Sequence, residues 1–193
     1  MTDSRPEAIR QRLYAFLVAG IGGLAASAVS FGMAVYGAAH PPRIATVPAN
    51  RQIDTGRWSV TVLSANVAAT PPTGIAPLTP TRYLLVKLDV TNRSATPNNL
   101  LERVVTLDEH ALKLPAPTAY LDRDKYFAGF LNPGMPEHVT MAWEWPANAK
   151  IPDRVTLTVN RQIYKIRDNL YGASGWYDRG AIATVELPVV RTP

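Results

Sequence analysis

The residue types that carry most enzyme chemistry are few and scattered in this chain. Its three histidines, His40, His110 and His138, belong to no ligand-spaced pair and to no H-E-x-x-H helix. Gly172 and Gly175 bracket Ser174 at a spacing of three residues, whereas the G-x-S-x-G nucleophile turn needs four. The remaining catalytic alternative is a hydrolase that uses scattered Asp and Glu residues. Nothing in the sequence clusters these residues, which weighs against it. We therefore expect a protein that is not an enzyme.

The best candidate for a metal site is the pair Asp122 and Asp124. Ca²⁺ takes about six to eight oxygen ligands, and residues 121–127 supply too few. Arg123 and Lys125 also neutralise the two carboxylates. The chain of 193 residues contains no Cys, which excludes disulfides, zinc-finger sites and a thiol nucleophile. We expect neither a metal nor another cofactor.

Two segments combine aromatic and charged residues in the way that interaction sites do. Interface hot spots are enriched in Trp, Tyr and Arg, and glycine-rich loops can present such side chains. The alternative is that these aromatics seal the end of a hydrophobic core. The glycine-rich segment 169–180 and the segment 120–130 are both predicted to be loops, and their partner-binding candidates are Tyr171, Trp176, Tyr177 and Arg179 in the first and Tyr126 and Phe127 in the second.

The N-terminal region predicts a membrane anchor. Residues 13–39 contain no Asp, Glu, Lys, Arg, His or Pro, and about 20 apolar residues suffice to span a bilayer core. A cleaved signal peptide is the main alternative, but its apolar part is typically only about 7–15 residues long. Arg5, Arg10 and Arg12 precede the span and favour a cytoplasmic N-terminus. We expect a short head at 1–12, a single transmembrane helix at 13–39 and an exported C-terminal domain.

One face of this predicted helix is built from small residues. In lipid, small side chains let helix backbones approach closely, whereas bulky ones can face acyl chains. The face could equally reflect a general abundance of Ala and Gly in membrane spans. If it is functional, its partner is the bilayer-embedded helix of another integral membrane protein or of a second copy of this chain. Its members are Ala15, Ala19, Gly22, Gly23, Ala26, Ser30 and Gly37.

The rest of the chain has the pattern of an antiparallel β protein. Residues 40–51 hold three prolines and predict an extended linker. From 52 to 193, short runs alternate between apolar and polar residues and are separated by Pro and Gly turns. Seven or eight strands of this kind predict a β-sandwich, with a closed barrel as the alternative. Residues 103–107 and 111–114 are predicted to form one hairpin.

The inward faces of two strands can be assigned from the alternation. The first runs from Tyr83 to Val90 and the second from Glu137 to Trp145. Side chains two residues apart point to the same face of a strand. The predicted inward residues are Leu84, Val86, Leu88 and Val90 in the first strand and Val139, Met141, Trp143 and Trp145 in the second.

The same region contains motifs of a known group of proteins. A strand ending in Thr-Asn (YLLVKLDVTN, 83–92) is followed by the turn Leu131-Asn132-Pro133-Gly134 and by a strand that closes on Trp145-Pro146. Over residues 52–160 this resembles the immunoglobulin-like, telokin-like exported domains of bacterial membrane-anchored proteins and lipoproteins, a family of unknown function. The resemblance implies an immunoglobulin-like fold and a location outside the cytoplasm. This chain lacks the lipobox Cys of the lipoproteins.

These features together predict a non-enzymatic single-pass protein of the bacterial inner membrane. Its exported immunoglobulin-like domain would mediate protein–protein interaction, as an accessory subunit of a transport, secretion or envelope complex. The alternative is a domain that senses a small ligand or envelope stress and acts through a partner membrane protein. The net charge of +5 is spread along the chain without a basic run, so we expect no nucleic-acid binding.

Overall fold

The computed structural model describes residues 23, 26–40, 44–99, 101–108, 112–170 and 172–191. The chain divides into two compact units, Met1–Arg43 and Ile44–Pro193. The predicted head at 1–12 lies outside the described residues, as do Ala15, Ala19 and Gly22 of the small-residue face.

In the first unit, residues 26–39 form a helix, α1. The hydroxyl of Ser27 donates to the Gly23 carbonyl at 2.9 Å, and the rings of Tyr36 and His40 stack with centroids 4.3 Å apart. The large apolar side chains of this helix are exposed, as are the described members of the small-residue face, which are Gly23, Ala26, Ser30 and Gly37. Within the described residues, no helix combines the length and apolarity needed to cross a membrane.

The second unit consists mostly of β-structure. A short helix, α2 (Leu101–Val104), lies between its fourth and fifth strands. The strands in its described part are β1 (Ala45–Thr46), β2 (Gln52–Asp54), β3 (Trp58–Ala68), β4 (Thr81–Asn92), β5 (Val105–Leu107), β6 (Thr118–Leu121), β7 (Pro136–Pro146), β8 (Arg154–Lys165) and β9 (Gly175–Arg191).

These strands form two layers that β9 connects. One layer has the order β5-β8-β9, with the short β1 on the other edge of β9, and the second has the order β3-β4-β7-β6, with β2 beside β3. Neighbours are antiparallel except at β1, which runs parallel to β9, and at the end of β9, where Val189 to Arg191 run parallel to Ala65 to Val67 of β3. β9 therefore passes from the first layer to the second.

A single hydrophobic core lies between the layers. The eight side chains predicted to point inward from β4 and β7 are all buried, which confirms both assignments. They share one cluster with Trp58, Val60 and Val62 of β3 and with alternate residues of β8 and β9. Fully burying a side chain of this size contributes about 1.5–3 kcal/mol relative to leaving it exposed. The β-sandwich prediction is confirmed. In the described strands β5 and β6 end the path without pairing, so the sheet does not close into a barrel.

The predicted hairpin of residues 103–107 and 111–114 is wrong. Residues 101–104 form α2, and β5 pairs with β8, with Val105 opposite Val159. Residues 112–117 form no strand; they contain Pro115 and Pro117, which have no N–H to donate to a ladder. The partner of β5 thus lies about 50 residues away in sequence, beyond the reach of a local pattern.

The segment 40–51, expected to be a linker, contributes to the folded unit from residue 44 onward. Ala45 and Thr46 pair with Ala183 and Thr184 of β9, and the Val47 N–H donates to the Thr184 carbonyl at 2.8 Å. These bonds satisfy backbone groups at the edge of β9, so this segment extends a sheet.

Four connections meet at one end of the sandwich, which we call the loop end. Strand pairing places Trp58, Asn92 and Pro136 there, because Trp58 lies opposite Asn92 and Pro136 lies opposite Thr91. Gln162 of β8 reaches the same end, since its N–H donates to the Thr55 carbonyl at 2.7 Å. The connections are the β2–β3 turn at 55–57, the segment 93–99 after β4, the β6–β7 loop at 122–135 and the β8–β9 connection at 166–174.

Candidate functional site

The segment 169–180, predicted to be a glycine-rich loop, is in large part a strand. From Gly175 onward the chain belongs to β9, and Lys165, Tyr164 and Ile163 of β8 lie opposite Gly175, Trp176 and Tyr177. We call β8 residues 162–165, β9 residues 175–178 and the connection between them the hairpin. Because successive side chains of a strand point to opposite faces, Trp176 and Tyr177 cannot form one patch. Tyr171 lies outside the described residues, and Arg179 is exposed beyond the hairpin.

The Trp176 face of the hairpin combines aromatic and cationic groups. The rings of Trp176 and Tyr164 are tilted with centroids 5.5 Å apart, as expected of directly opposed residues. On the same Trp176 ring, the guanidinium carbon of Arg57 lies 5.5 Å from the centroid, within the range of a cation–π contact. The β2–β3 turn thus supplies a side chain to a site otherwise built by the hairpin.

Gly56 sets the position of that turn. Its φ is +91°, and a Cβ at this position would lie 2.1 Å from the Gln162 carbonyl oxygen, so only glycine allows the backbones to approach this closely. The turn is fixed further by Thr55, whose hydroxyl donates to the Trp58 carbonyl at 3.0 Å and accepts the Trp58 N–H at 3.1 Å. Arg57 is therefore held by backbone contacts on both sides.

Arg57 is an unusual side chain for its environment. It is only 8% exposed, and its Nε has no hydrogen-bond partner. Burial lowers the pKa of Arg57 below its ordinary value, yet a guanidinium remains protonated at neutral pH. None of the ion pairs among the described residues involves it. A buried cation that lies over an aromatic ring and forms no ion pair in the described part of the chain favours an approaching anion.

A cleft of about 560 Å³ opens beside Trp176. Asn92 fixes one wall of the cleft: its Oδ1 accepts the Ser94 N–H and hydroxyl at 2.9 and 2.7 Å, and its Nδ2 donates to the Thr96 carbonyl at 2.8 Å. Arg93 forms an ion pair with Asp54. The cleft therefore combines an aromatic wall with a wall of small and hydroxyl-bearing residues, and it is lined by Arg93, Ser94, Ala95, Thr96, Tyr164, Gly175 and Trp176.

The opposite face of the hairpin has its own aromatic–cation pair. Lys165 Nζ lies 4.6 Å from the centroid of the Tyr177 ring and 3.3 Å from Asp168 Oδ2. On the Trp176 face, Gln162 Nε2 donates to the directly opposed Asp178 Oδ1 at 2.7 Å. Tyr177 is therefore engaged in holding the hairpin and is separate from the cleft.

The second predicted region, around Tyr126 and Phe127, is a loop as expected. Both side chains are exposed, by 67% and 57%, and their rings meet edge to face with centroids 5.7 Å apart. Phe127 also stacks on Tyr120 at 5.2 Å. Because Tyr126 and Phe127 touch each other and extend into solvent, this region, residues 122–135, forms a patch that we call the aromatic loop.

Beneath the aromatic loop, Tyr83 and Tyr120 form a small buried cluster with Ala142 on the outer face of the second layer. Burial raises the pKa of Tyr83, and the nearby Glu144 carboxylate raises it further. Burial likewise raises the pKa of Tyr120, with additional contributions from Tyr83 and Glu144. Both hydroxyls are therefore neutral at physiological pH.

The acidic residues considered as calcium ligands have structural partners. The Asp122 carboxylate accepts the Thr140 hydroxyl at 2.5 Å, and the Asp124 carboxylate accepts the Tyr126 N–H at 2.9 Å. In the part of the chain that the structure describes, no group of three His, Cys, Asp or Glu side chains could hold a metal ion. His138 faces outward from β7 and contacts Asp89.

The residues that the sequence analysis missed are Arg57, Tyr164 and the wall at 93–96. Residues 92–97 show turn chemistry in the sequence, but that pattern does not indicate that the turn faces Trp176. Arg57 immediately precedes a buried strand, and only the pairing of β8 with β9 brings Trp176 to it. A glycine followed by arginine at a strand start is too common to have identified the site.

Comparisons with known proteins give limited information. No protein-family model and no curated protein matches the sequence. A solved structure described as an uncharacterized beta-sandwich protein from Clostridium difficile 630 is similar to this chain, with a TM-score of 0.45 and 12% identity over 71% of this chain and 96% of that one.

Proposed function

We propose that this chain is a non-enzymatic interaction protein, tethered to the bacterial inner membrane by residues 13–39, with an immunoglobulin-like β-sandwich outside the cytoplasm. The anchor is supported by the absence of charged residues and proline from 13–39 and by the exposure of the apolar side chains of α1. The immunoglobulin-like assignment is supported by the two-layer antiparallel arrangement and by the Thr-Asn and Pro-Gly motifs at the loop end. There the Gly134 N–H donates to the Asn92 carbonyl at 2.7 Å.

The observation that carries the binding role is Arg57, which lies over the Trp176 ring that lines the cleft. The Arg57 guanidinium is buried, lies over the Trp176 ring and forms no ion pair among the described residues. An acidic side chain or a C-terminal carboxylate would match its charge. Aromatic and arginine side chains in a desolvated pocket are those that dominate interface energetics. The proposed partner is another membrane protein that presents a carboxylate-bearing segment to the cleft, and this chain is its accessory subunit.

The second candidate function is the sensing of a small ligand. The cleft volume of about 560 Å³ lies within the range of small-molecule sites, about 300–1,000 Å³. A sensor of this kind would bind a small carboxylate at Arg57 and act through a partner membrane protein.

Photo-cross-linking in native membranes tests the interaction role. A photoreactive residue replaces the half-exposed Tyr164 in the full chain, and adducts are identified by mass spectrometry. Ala95→Trp fills the cleft from an exposed position, and Leu78→Trp, at a fully exposed position in the β3–β4 loop at the opposite end, is the matched control. We expect one membrane-protein adduct that Ala95→Trp abolishes and Leu78→Trp leaves intact.

Three results would contradict this proposal. Adducts that persist in the Ala95→Trp variant would mean that the cleft is not the binding site. A thermal midpoint that rises with a small carboxylate, together with no protein adduct, would favour the sensing role. Release of the full chain from membranes by alkaline carbonate would contradict the membrane anchor, which both the interaction role and the sensing role assume.

A further inference from the structure

The connection between β8 and β9 exposes apolar side chains to solvent. Ile166 is 85% exposed and Leu170 is 78% exposed, and Tyr164 stands half-exposed on the neighbouring strand. These side chains make no contribution to the sandwich core, which contains none of them. Exposed aliphatic groups with a neighbouring tyrosine are typical of surfaces that contact a membrane or another protein.

Basic side chains surround these apolar ones. Residues 161–179 contain four basic and two acidic residues. Arg161, Arg167 and Arg179 are exposed, and none of the ion pairs among the described residues involves them. The two acidic residues are already engaged, Asp168 with Lys165 and Asp178 with Gln162. The outer surface of the hairpin is therefore cationic, which matches an anionic surface.

The direction of β1 shows from which end the chain enters the sandwich. β1 runs parallel to β9, with Ala45 beside Ala183 and Thr46 beside Thr184. Ile44, the first residue of the second unit, therefore lies on the side of Ala45 that faces the N-terminal end of β9, which is the end of β9 that forms the hairpin. In sequence only residues 40–43 separate Ile44 from the uncharged segment 13–39, and a chain of four residues spans at most about 14 Å.

We propose that the hairpin connection, residues 166–170, rests on the surface of an anionic lipid bilayer. Ile166 and Leu170 enter the interfacial region, Tyr164 lies at headgroup depth, and Arg161 and Arg167 bind lipid phosphates. This inference rests on the proposed membrane anchor at 13–39. It also implies that the cleft opens close to the bilayer, so that the segment it binds is a membrane-proximal one.

The aromatic loop provides an internal contrast for this proposal. It also exposes aromatic side chains at the loop end, but residues 122–135 contain two acidic and two basic residues and so carry no net charge. An anionic bilayer does not attract such a surface electrostatically. We therefore expect lipid contact at the hairpin and none at the aromatic loop.

The absence of cysteine from the chain allows a direct test with single labels. Full chains carrying Ile166→Cys, Leu170→Cys, Phe127→Cys or Leu78→Cys are labelled with an environment-sensitive fluorophore and reconstituted into vesicles of phosphatidylglycerol and phosphatidylcholine that contain a lipid-borne quencher. Flotation after an alkaline wash first establishes that the chain is anchored. We expect strong quenching at 166 and 170, and weak quenching at 127 and 78.

Two further measurements complete the test. Replacing Arg161 and Arg167 by Glu, or using pure phosphatidylcholine, should reduce quenching at 166 to the level seen at 78. Equal quenching at 166 and 78 in chains that float would overturn the lipid contact while leaving the anchor intact. Quenching at 166 that is insensitive to both changes would overturn the anionic-lipid assignment. Chains that do not float would overturn the anchor and this inference together.

Discussion

Two aromatic regions share the loop end, and they differ in what holds them. The hairpin carries Trp176 and Tyr164 on paired strands, so backbone ladders fix their positions and Arg57 packs on one of the rings. The aromatic loop carries Tyr126 and Phe127 on a turn that folds back on β6, where the Leu121 N–H donates to the Tyr126 carbonyl at 2.8 Å and the Phe127 ring stacks on Tyr120. The hairpin is also cationic on its outer surface, whereas the aromatic loop has two acidic and two basic residues and no net charge.

This difference bears on the roles that we propose for the two regions. A cleft that recognises one chemical group needs walls held within a fraction of an ångström, and strand-borne side chains provide that. Loop-borne aromatics that reach into solvent form an adaptable surface instead. We therefore place specific recognition at the hairpin cleft. Substitutions of the same kind, one in each region, can distinguish the two regions experimentally.

The largest expected effect comes from paired glycine substitutions, one under each region. Gly56 and Gly134 both have positive φ, +91° and +72°, but only a Cβ at Gly56 meets backbone, the Gln162 carbonyl oxygen at 2.1 Å. Gly134→Ala should lower the free energy of unfolding by about 1–2 kcal/mol through backbone strain alone. Gly56→Ala adds a clash that forces the turn and the hairpin apart, so this substitution should lower the free energy of unfolding by about 3 kcal/mol or more. Urea denaturation of both variants measures the two values.

The comparison of the two variants isolates the close approach of the turn to the hairpin. Equal losses would mean that the turn and Gln162 separate at little cost, and Arg57 would then not be fixed at the cleft. Gly56→Ala should also abolish the cross-links from Tyr164, whereas Gly134→Ala should leave them unchanged.

A smaller effect is expected from truncating one aromatic side chain in each region. Trp176 is half-buried between Tyr164 and Arg57, so Trp176→Ala should lower the free energy of unfolding by about 1–3 kcal/mol. Phe127 is mostly exposed, and Phe127→Ala should lower the free energy of unfolding by less than about 1 kcal/mol. Thermal unfolding monitored by circular dichroism measures both changes. A larger loss for Phe127→Ala would reverse our ranking of the two regions.

The sandwich was largely predictable from the sequence because its information is local. Alternation in β4 and β7 identifies the buried faces, since a strand packed on one side must place apolar residues at every second position. The aromatic loop was predictable for a similar reason, because Gly129, Pro133 and Gly134 interrupt any regular pattern around its aromatics. In both cases the sequence pattern lies within about ten residues of the residues whose conformation it predicts.

The cleft was not predictable, because its parts lie far apart in the chain. Arg57, Ser94 and Trp176 meet only after β3, β4, β8 and β9 have paired, and a single sequence gives no long-range partners. The glycines in 169–180 suggested a loop, yet from Gly175 onward these residues gain a strand partner in β8. Tertiary pairing here outweighs local propensity.

The smallest expected effect concerns pH and distinguishes the base of the aromatic loop from its exposed part. The pKa values of Tyr83 and Tyr120 are raised in the folded state, first by burial and then by neighbouring charge, above the value of 10.0 expected in the unfolded chain. The unfolded chain therefore loses these protons first as the pH rises. Their contribution to stability is fully present below pH 10 and is lost as the pH rises through the folded-state pKa.

Replacing both residues by Phe should make the thermal midpoint fall less between pH 9 and pH 11 than it does in the unmodified chain. Differential scanning calorimetry across that range measures the two slopes, and values at pH 7, where both hydroxyls are neutral, correct for any change in packing. Identical slopes would mean that water reaches both hydroxyls and that the aromatic loop does not cover them.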